Sequence, residues 1–207
     1  MKEYKMTMKS YSIDELSKEA KEKAHEEWLE DFDYQLYAYD FVEVLNRFSE
    51  IFDINVDDWT VDEYTYSYRF TVLNDTMYEE GMSGNRLVKY LWNNYSEYIE
   101  KGKCFFKGMK YRESKLKKVE ASRCPLTGTV GDTIILEHIE KCLLYEETYE
   151  DYRELIDKCL STFFMEQRLS FESSMSFENF EEESRANEWE YTENGKMFRL
   201  PSDAEIL

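Results

Sequence analysis

The sequence predicts an α+β protein in which helices dominate and two or three short antiparallel β-hairpins complete the fold. Through most of the 207 residues, apolar side chains recur every three or four positions, as on the buried stripe of a helix. Residues 54–73 instead alternate apolar and polar side chains, which is typical of a half-exposed strand. With 42% hydrophobic and 16% aromatic residues, such a chain can fill a core.

Start signals place the first helix from Lys18 to Asp31, because Glu15 follows Ser12 by three positions and Ser17 precedes an alanine-rich stretch. A second helix is predicted over residues 34–52. The later elements are a hairpin over residues 54–72, a helix from Leu87 to near Gly102, a weaker hairpin within residues 104–111, helices over residues 132–144 and 149–169, a helix from Ser176 to Ala186, and a terminal hairpin with a type I′ turn at Asn194-Gly195.

The length favours a single domain over residues 1–207, with residues 101–130 as a candidate small lobe. Lysine and glutamate residues interrupt the opening segment, and no apolar run approaches the roughly 20 residues of a membrane span. The four cysteines lie far apart in sequence, which favours reduced thiols over a disulfide scaffold. We therefore expect a cytoplasmic protein with no membrane partner.

No nucleotide-binding or hydrolase motif occurs in the chain, and its only histidines are His25 and His138. We interpret His25 as a surface residue and His138 as a helix-face residue. Cys104, Cys124, His138 and Cys142 offer zinc-binding atoms, but they lack the close pairs that zinc sites use. The sequence thus predicts no catalytic residue, no metal and no cofactor.

Charge is the strongest functional signal, because 45 acidic residues against 26 basic ones give a formal net charge of −19. Carboxylates placed on rigid helices can present charge in the way that nucleic-acid phosphates do, so they can occupy a groove built for phosphates. The alternative is a solvated face that serves solubility alone. Three acidic stretches supply the candidate partner-binding residues, namely Glu22, Glu26, Glu30, Asp57, Asp58, Glu147, Glu150, Asp151 and Glu154.

One segment reverses this charge: residues 101–123 hold nine basic and two acidic residues. Lysine and arginine interleaved with aromatic residues could bind nucleic acid directly through phosphate contacts and stacking. Neutralisation of the protein's own acidic helices is the interpretation we favour. The possible basic patch consists of Lys107, Lys110, Arg112, Lys115, Lys117 and Lys118.

Three blocks resemble segments of small acidic accessory proteins of bacteriophages and mobile elements. They are YSIDELSKEAKEKAHEEW at residues 11–28, CPLTGTVGDTIILEHI at residues 124–139 and ANEWEYTENGKMF at residues 186–198. Together they cover roughly a quarter of the chain. His25 departs from the apolar residue expected at its position, and residues 54–123 have no counterpart.

The resemblance implies a setting in which some proteins of this size and acidity inhibit host defence as anti-CRISPR or antirestriction proteins. It transfers no site residue by residue. We therefore expect a non-enzymatic inhibitor of a nucleic-acid-targeting nuclease in the bacterial host cytoplasm, with a CRISPR effector as first target and a restriction enzyme as the alternative. A nucleic-acid-binding accessory protein that uses residues 101–123 is the alternative from another class. The patterns leave the oligomeric state open.

Overall fold

A computed structural model of the chain describes residues 8–73, 81–95, 98, 124–145 and 148–199. Within these ranges helices dominate and the strands form two antiparallel pairs, which confirms the predicted α+β class. The chain divides into two compact units. The terminal unit comprises Met1–Tyr34 and Phe171–Leu207, and the central unit comprises Gln35–Ser170.

The terminal unit combines elements from both ends of the sequence. Strand β1 (Tyr11–Ser12) leads through a short 3-10 helix (Ile13–Glu15) into α1 (Lys18–Glu30), and it pairs with β4 (Glu190–Tyr191). Helix α7 (Phe177–Ala186) packs in the same unit. A small core forms where these elements meet, with six buried side chains: Ile13, Leu16, Ala20, Ala24, Phe180 and Tyr191.

Serine caps start the helices of the terminal unit as the sequence predicts. The Ser17 hydroxyl accepts a hydrogen bond from the Ala20 amide at 3.2 Å, and Ser176 caps Asn179 at the same distance. These bonds satisfy amides that the first turn of a helix otherwise leaves unpaired. Ser12 begins only the short 3-10 helix, where Glu15 completes the predicted capping box.

The turn predicted at Asn194-Gly195 forms, but its type was predicted wrongly. A type I′ turn needs a positive φ at both central residues, and here Gly195 has φ +87° while Asn194 does not lie in the positive-φ region. The Gly195 amide donates to the Thr192 carbonyl at 2.9 Å, and the Thr192 amide donates to the Lys196 carbonyl. Only a single bridge, Tyr191 to Met197, joins the two arms, because β4 pairs mainly with β1.

In the central unit the predicted second helix divides at Ala38 into α2 (Tyr34–Tyr37), which begins at the last residue of the terminal unit, and α3 (Tyr39–Ile51). The predicted hairpin is confirmed, with β2 (Ile54–Val61) antiparallel to β3 (Tyr66–Val72). Three helices follow: α4 (Gly84–Tyr95), α5 (Gly131–Tyr145) and α6 (Tyr152–Ser174), whose last four residues belong to the terminal unit.

The core of the central unit is larger, with 23 buried side chains among the described residues. Phe41 stacks on Phe163 with ring centroids 4.6 Å apart, and Tyr68 of β3 stacks on Phe164 at 4.9 Å. The alternating aromatic residues of β3 are therefore committed to packing against α6. The predicted helix end near Gly102 and the hairpin within residues 104–111 lie outside the described residues, as does most of the candidate lobe at 101–130. The single-domain prediction stays a prediction.

Candidate acidic interface

Helix α1 presents a row of carboxylates because its apolar residues are confined to the opposite face. Ala20 and Ala24 are buried in the core of the terminal unit, so the opposite face of the helix points outward. Glu22, Glu26 and Glu30 are exposed and follow one another at i, i+4 spacing, about 6 Å of helix rise apart. Glu19 and Glu27 are exposed as well, so α1 carries five outward carboxylates.

Few of these carboxylates are engaged by the protein itself. The Lys18 ammonium lies 3.6 Å from Glu22, an exposed pair that stabilises little. Among the described residues, no hydrogen bond or ion pair involves the Glu26 or Glu30 side chain. The best-formed ion pair of α1 joins Lys21 to Glu181 of α7 at 2.7 Å, and there both side chains are only 20% exposed.

Charge is unevenly shared between the two units. The 71 residues of the terminal unit hold 20 acidic and 9 basic residues, a net charge of −11. The 136 residues of the central unit hold 25 acidic and 17 basic residues, a net charge of −8. The terminal unit therefore carries more than half of the net charge on about one third of the chain.

The second predicted stretch, around the β-hairpin, is largely paired within the hairpin. Asp58 is 3.1 Å from the guanidinium of Arg69 on the neighbouring strand, and Asp57 accepts a hydrogen bond from the Asn55 side chain at 2.8 Å. Both carboxylates are exposed. Their charge is thus directed at least partly toward groups of the protein itself.

The third stretch serves the structure of α6. The Asp151 carboxylate accepts the Glu154 amide and the Glu154 carboxylate accepts the Asp151 amide, both at 2.9 Å, which is a reciprocal cap of the helix start. Glu150 pairs with Lys158 and accepts a hydrogen bond from Thr148. Glu147 lies outside the described residues, so three of the four predicted residues here hold the helix in place.

The environment of Glu150 changes its acidity accordingly. The hydrogen bond from Lys158, followed by that from Thr148, lowers the pKa of Glu150 from 4.5 to about 2. Such a shift indicates a carboxylate that is held ionised by its partners. A charge engaged in this way is less available to a second protein than the free carboxylates of α1.

Neither histidine forms part of a metal cluster in the described part of the chain, where no group of three His, Cys, Asp or Glu side chains could hold an ion. His138, a helix-face residue as predicted, bonds Thr162 at 2.8 Å, and partial burial lowers its pKa. His138 and Cys142 both line a pocket of about 150 Å³. Burial raises the pKa of Cys142 to about 11. Cys104 lies outside the described residues.

His25 was wrongly predicted to be a surface residue. It is half-buried beside Phe177 and Phe180, with both ring centroids 5.3 Å away, and its Nε2 lies 2.9 Å from the Met175 carbonyl. These partners come from α7 and from the turn before it, and His25 also stacks on Trp28 of its own helix with ring centroids 5.8 Å apart. The apolar residue expected at this position was the available signal for the packing.

Sequence reasoning also missed two carboxylates of the terminal unit, Glu188 and Glu190, which line a pocket together with Asp14. The Asp14 carboxylate accepts hydrogen bonds of 2.9 to 3.2 Å from the guanidinium of Arg185. These hydrogen bonds lower the pKa of Asp14. Glu188 and Glu190 flank Trp189 within the third resembling block, where their i, i+2 spacing was the available signal. The possible basic patch, Lys107, Lys110, Arg112, Lys115, Lys117 and Lys118, lies outside the described residues.

No family model, curated protein or solved structure matches this chain. None of the helices in the described ranges combines the length and the apolar character that a membrane crossing requires.

Proposed function

We propose that this protein is a non-enzymatic inhibitor that occupies the basic, nucleic-acid-binding groove of a host defence nuclease. A CRISPR effector is the first candidate target, and a restriction enzyme is the alternative. The observation that carries the proposal is the row of exposed carboxylates on α1, in a unit whose net charge is −11.

The density of charge on α1 suits part of such a groove. Five carboxylates on a 13-residue helix of about 20 Å give one per about 4 Å, close to the 3.4 Å per phosphate along one DNA strand. Both strands together present a charge every 1.7 Å or so, which α1 does not approach. Three lysines on α1 reduce its field further, although Lys18 and Lys21 are paired. We therefore expect α1 to replace a single strand.

The biological setting that the resemblance implies, a bacteriophage or mobile element in a bacterial host, supports the same proposal. Two of the three blocks that resemble phage accessory proteins, residues 11–28 and 186–198, belong to the terminal unit that carries the acidic surface. Such a protein would act in the cytoplasm of the bacterial host, where its target nuclease works.

The test is to capture the partner from host lysate, identify it by mass spectrometry, and measure its association with two matched variants. Glu26→Lys with Glu30→Lys reverses two free carboxylates of α1. Glu43→Lys with Glu166→Lys reverses two exposed carboxylates of the central unit that also lack an ion pair in the described structure. Both variants change the net charge equally, so any difference between them reports location.

We expect the α1 variant to slow association about tenfold at low salt and the central variant about threefold at most, because rim charges act mainly on the association rate. The partner should also lose nucleic acid in proportion to the inhibitor bound. Equal effects of the two variants, or a binding constant that does not change with salt, would contradict the proposal.

The nine basic residues of the segment 101–123 favour the second candidate, a nucleic-acid-binding accessory protein. A gel shift with the protein alone separates the two candidates. The inhibitor should not bind DNA at physiological salt, because its net negative charge repels phosphates within the Debye length of about 8 Å, beyond which salt screens the field. DNA binding at micromolar protein would favour the accessory protein instead.

A further inference from the structure

A pocket of about 520 Å³ lies within the terminal unit, a volume typical of small-ligand sites. Its walls come from the chain around β1, from the end of α7 and from the chain entering β4. Four carboxylates and one guanidinium line it, so the lining carries a net charge of −3. These charged residues are Asp14, Glu15, Arg185, Glu188 and Glu190.

The pairing of β1 with β4 explains why polar groups gather here. Ser12 lies opposite Glu190, and Tyr11 lies opposite Tyr191. Side chains alternate between the two faces of a strand, so Ser12 and Glu190 share one face while the buried Tyr191 faces the core. The polar face of this strand pair is therefore turned toward the pocket.

The backbone at the rim of the pocket is held in place by hydrogen bonds. The Glu188 amide donates to the Arg185 carbonyl at 3.2 Å, and the Trp189 amide donates to the Ser184 carbonyl at 3.0 Å. The Glu190 carbonyl accepts the Phe198 amide at 2.7 Å. The Glu188 and Glu190 side chains, by contrast, have no hydrogen bond or ion pair within the described residues, so an anchored backbone presents two unsatisfied carboxylates.

One guanidinium already occupies a wall of this pocket. The Arg185 Nη2 donates to Asp14 Oδ1 at 2.9 Å and the Nε donates to Asp14 Oδ2 at 3.2 Å, the forked geometry that suits a planar guanidinium. Trp189, which is half-buried, also lines the pocket, and an indole ring is the best aromatic surface for a cation. The groups of an arginine site are therefore repeated at Glu188, Glu190 and Trp189, where no arginine from the described part of the chain pairs with either carboxylate.

We propose that the pocket binds the side chain of an arginine presented by the basic partner. This inference rests on the proposed function and gives it a second contact besides the α1 row. Arginine is preferred over lysine because its planar group can pair with a carboxylate and stack on Trp189 at the same time.

The test uses the full chain, labelled with ¹⁵N, and two small probes. The first is N-acetyl-arginine amide, and the second is N-acetyl-citrulline amide, which has the same length and shape but no charge. The readout is the indole N–H resonance of Trp189, assigned with Trp189→Phe. We expect a saturable shift with the arginine probe, with a midpoint in the millimolar range, and no comparable shift with citrulline.

Glu188→Gln with Glu190→Gln should weaken the arginine probe about tenfold, since charge-assisted hydrogen bonds are lost. Glu43→Gln with Glu166→Gln removes the same charge from exposed positions of the central unit outside the pocket and should change the midpoint less than twofold. Equal binding of citrulline, or equal weakening by both variants, would overturn the arginine site. Circular dichroism checks that both variants fold.

A binding measurement with the captured partner keeps the two proposals distinguishable. If the captured partner binds the Glu188→Gln, Glu190→Gln variant as tightly as the parent protein, the pocket is not its contact and the inference is overturned. If the arginine probe binds as expected but no basic partner is captured, the proposed function fails while the arginine site stands.

Discussion

The two units differ in how far the carboxylates of their predicted partner-binding stretches are engaged by the protein itself. In the central unit Asp132, Glu150, Asp151 and Glu154 accept hydrogen bonds that hold a loop or the start of a helix, above a core of 23 buried residues. The buried core cluster of the terminal unit has six residues within the described ranges, and the α1 carboxylates point into solvent. Similar acidic stretches in the sequence therefore serve folding in one unit and are free to meet a partner in the other.

Among the variants that test the difference between the two units, Gly195→Ala should cause the largest loss of stability. A Cβ there would lie 2.0 Å from the backbone oxygen of Ala20 on α1, and the φ of +87° disfavours any side chain. We expect a loss of about 3 kcal/mol or more in unfolding free energy, combining steric overlap and backbone strain. Hydrogen exchange should show the α1 and α7 amides exposed while those of α5 stay protected.

Gly128→Ala is the matched control for that experiment. Gly128 has a similar φ of +93°, but a Cβ there would meet nothing within 4 Å. In Gly128→Ala only the backbone strain of the positive φ remains, which costs about 1–2 kcal/mol. If both variants lose the same stability, the close approach of the turn to α1 is unimportant. If α5 is exposed together with α1 in the Gly195 variant, the two units unfold as one.

In the central unit, Asp132→Ala should have the next largest effect. The buried carboxylate accepts the amides of Leu126, Thr127 and Gly128 at 2.8, 2.8 and 3.1 Å, and it also accepts the Thr127 hydroxyl. Removing it leaves these donors without an acceptor, at a cost of about 3 kcal/mol in chemical unfolding. Asp132→Asn, which keeps one acceptor oxygen, should lose about half as much. A loss below about 1 kcal/mol for the alanine variant would show that water replaces the carboxylate.

A smaller, pH-dependent effect is expected at Glu150. Because its folded pKa is about 2 and its ordinary value is 4.5, its ionisation stabilises the fold above pH 4.5, and this contribution is lost as the pH falls toward 2. Solvent screening reduces the contribution to about 1 kcal/mol. Glu150→Gln should be less stable than the parent by that amount at pH 7, and the difference should shrink at pH 3. A difference that does not change with pH would contradict the role of Lys158.

The smallest effect, with the opposite sign, is expected for Glu26→Gln with Glu30→Gln. Neither side chain stabilises the fold by an ion pair in the described structure, and Glu30 lies at the negative end of the α1 dipole, where no basic residue compensates it. We expect a gain of about 0.5 kcal/mol in thermal unfolding together with weaker partner binding. A measurable loss of stability would mean that α1 carboxylates act as those of the central unit do.

These roles also decide which charge variants can test partner binding. Reversing Glu150 and Glu154 removes an ion pair and a helix cap, so weaker binding by such a variant could reflect a damaged α6. Reversal at Glu26 and Glu30 carries no such complication. Charge reversal on α1 is therefore the decisive test of partner binding.

Local patterns predicted much of the fold. Ser17 and Ser176 mark helix starts, and the alternation from Tyr66 to Val72 marks β3, because caps and strand periodicity are properties of neighbouring residues. The pairing of β1 with β4 escaped prediction, since two-residue strands have no readable period and their partners are 180 positions apart. The turn type at Gly195 was wrong because the Asn-Gly signal assumes that both hairpin arms pair fully.

For the candidate site, the sequence predicted which residues are acidic but not what each carboxylate contacts. The cap formed by Asp151 and Glu154 had a readable signal, an acidic pair at three-residue spacing before an apolar run. The pairs Lys21–Glu181 and Asp14–Arg185 had none, because each joins residues at least 160 positions apart. Free carboxylates can be separated from engaged ones only once the tertiary contacts are known.

The terminal unit combines two segments that are far apart in the sequence, and this separation determines when the unit can fold during synthesis. Tyr11 and Tyr191 can pair only after the 180 positions between them have left the ribosome, and closing so long a loop costs about 4–5 kcal/mol in chain entropy. Residues 35–170 are continuous and can fold earlier, domain by domain, as translation proceeds. Helix α1 is made about 150 positions before α7, its packing partner. A nascent chain therefore cannot present the assembled acidic surface until α7 and β4 have emerged.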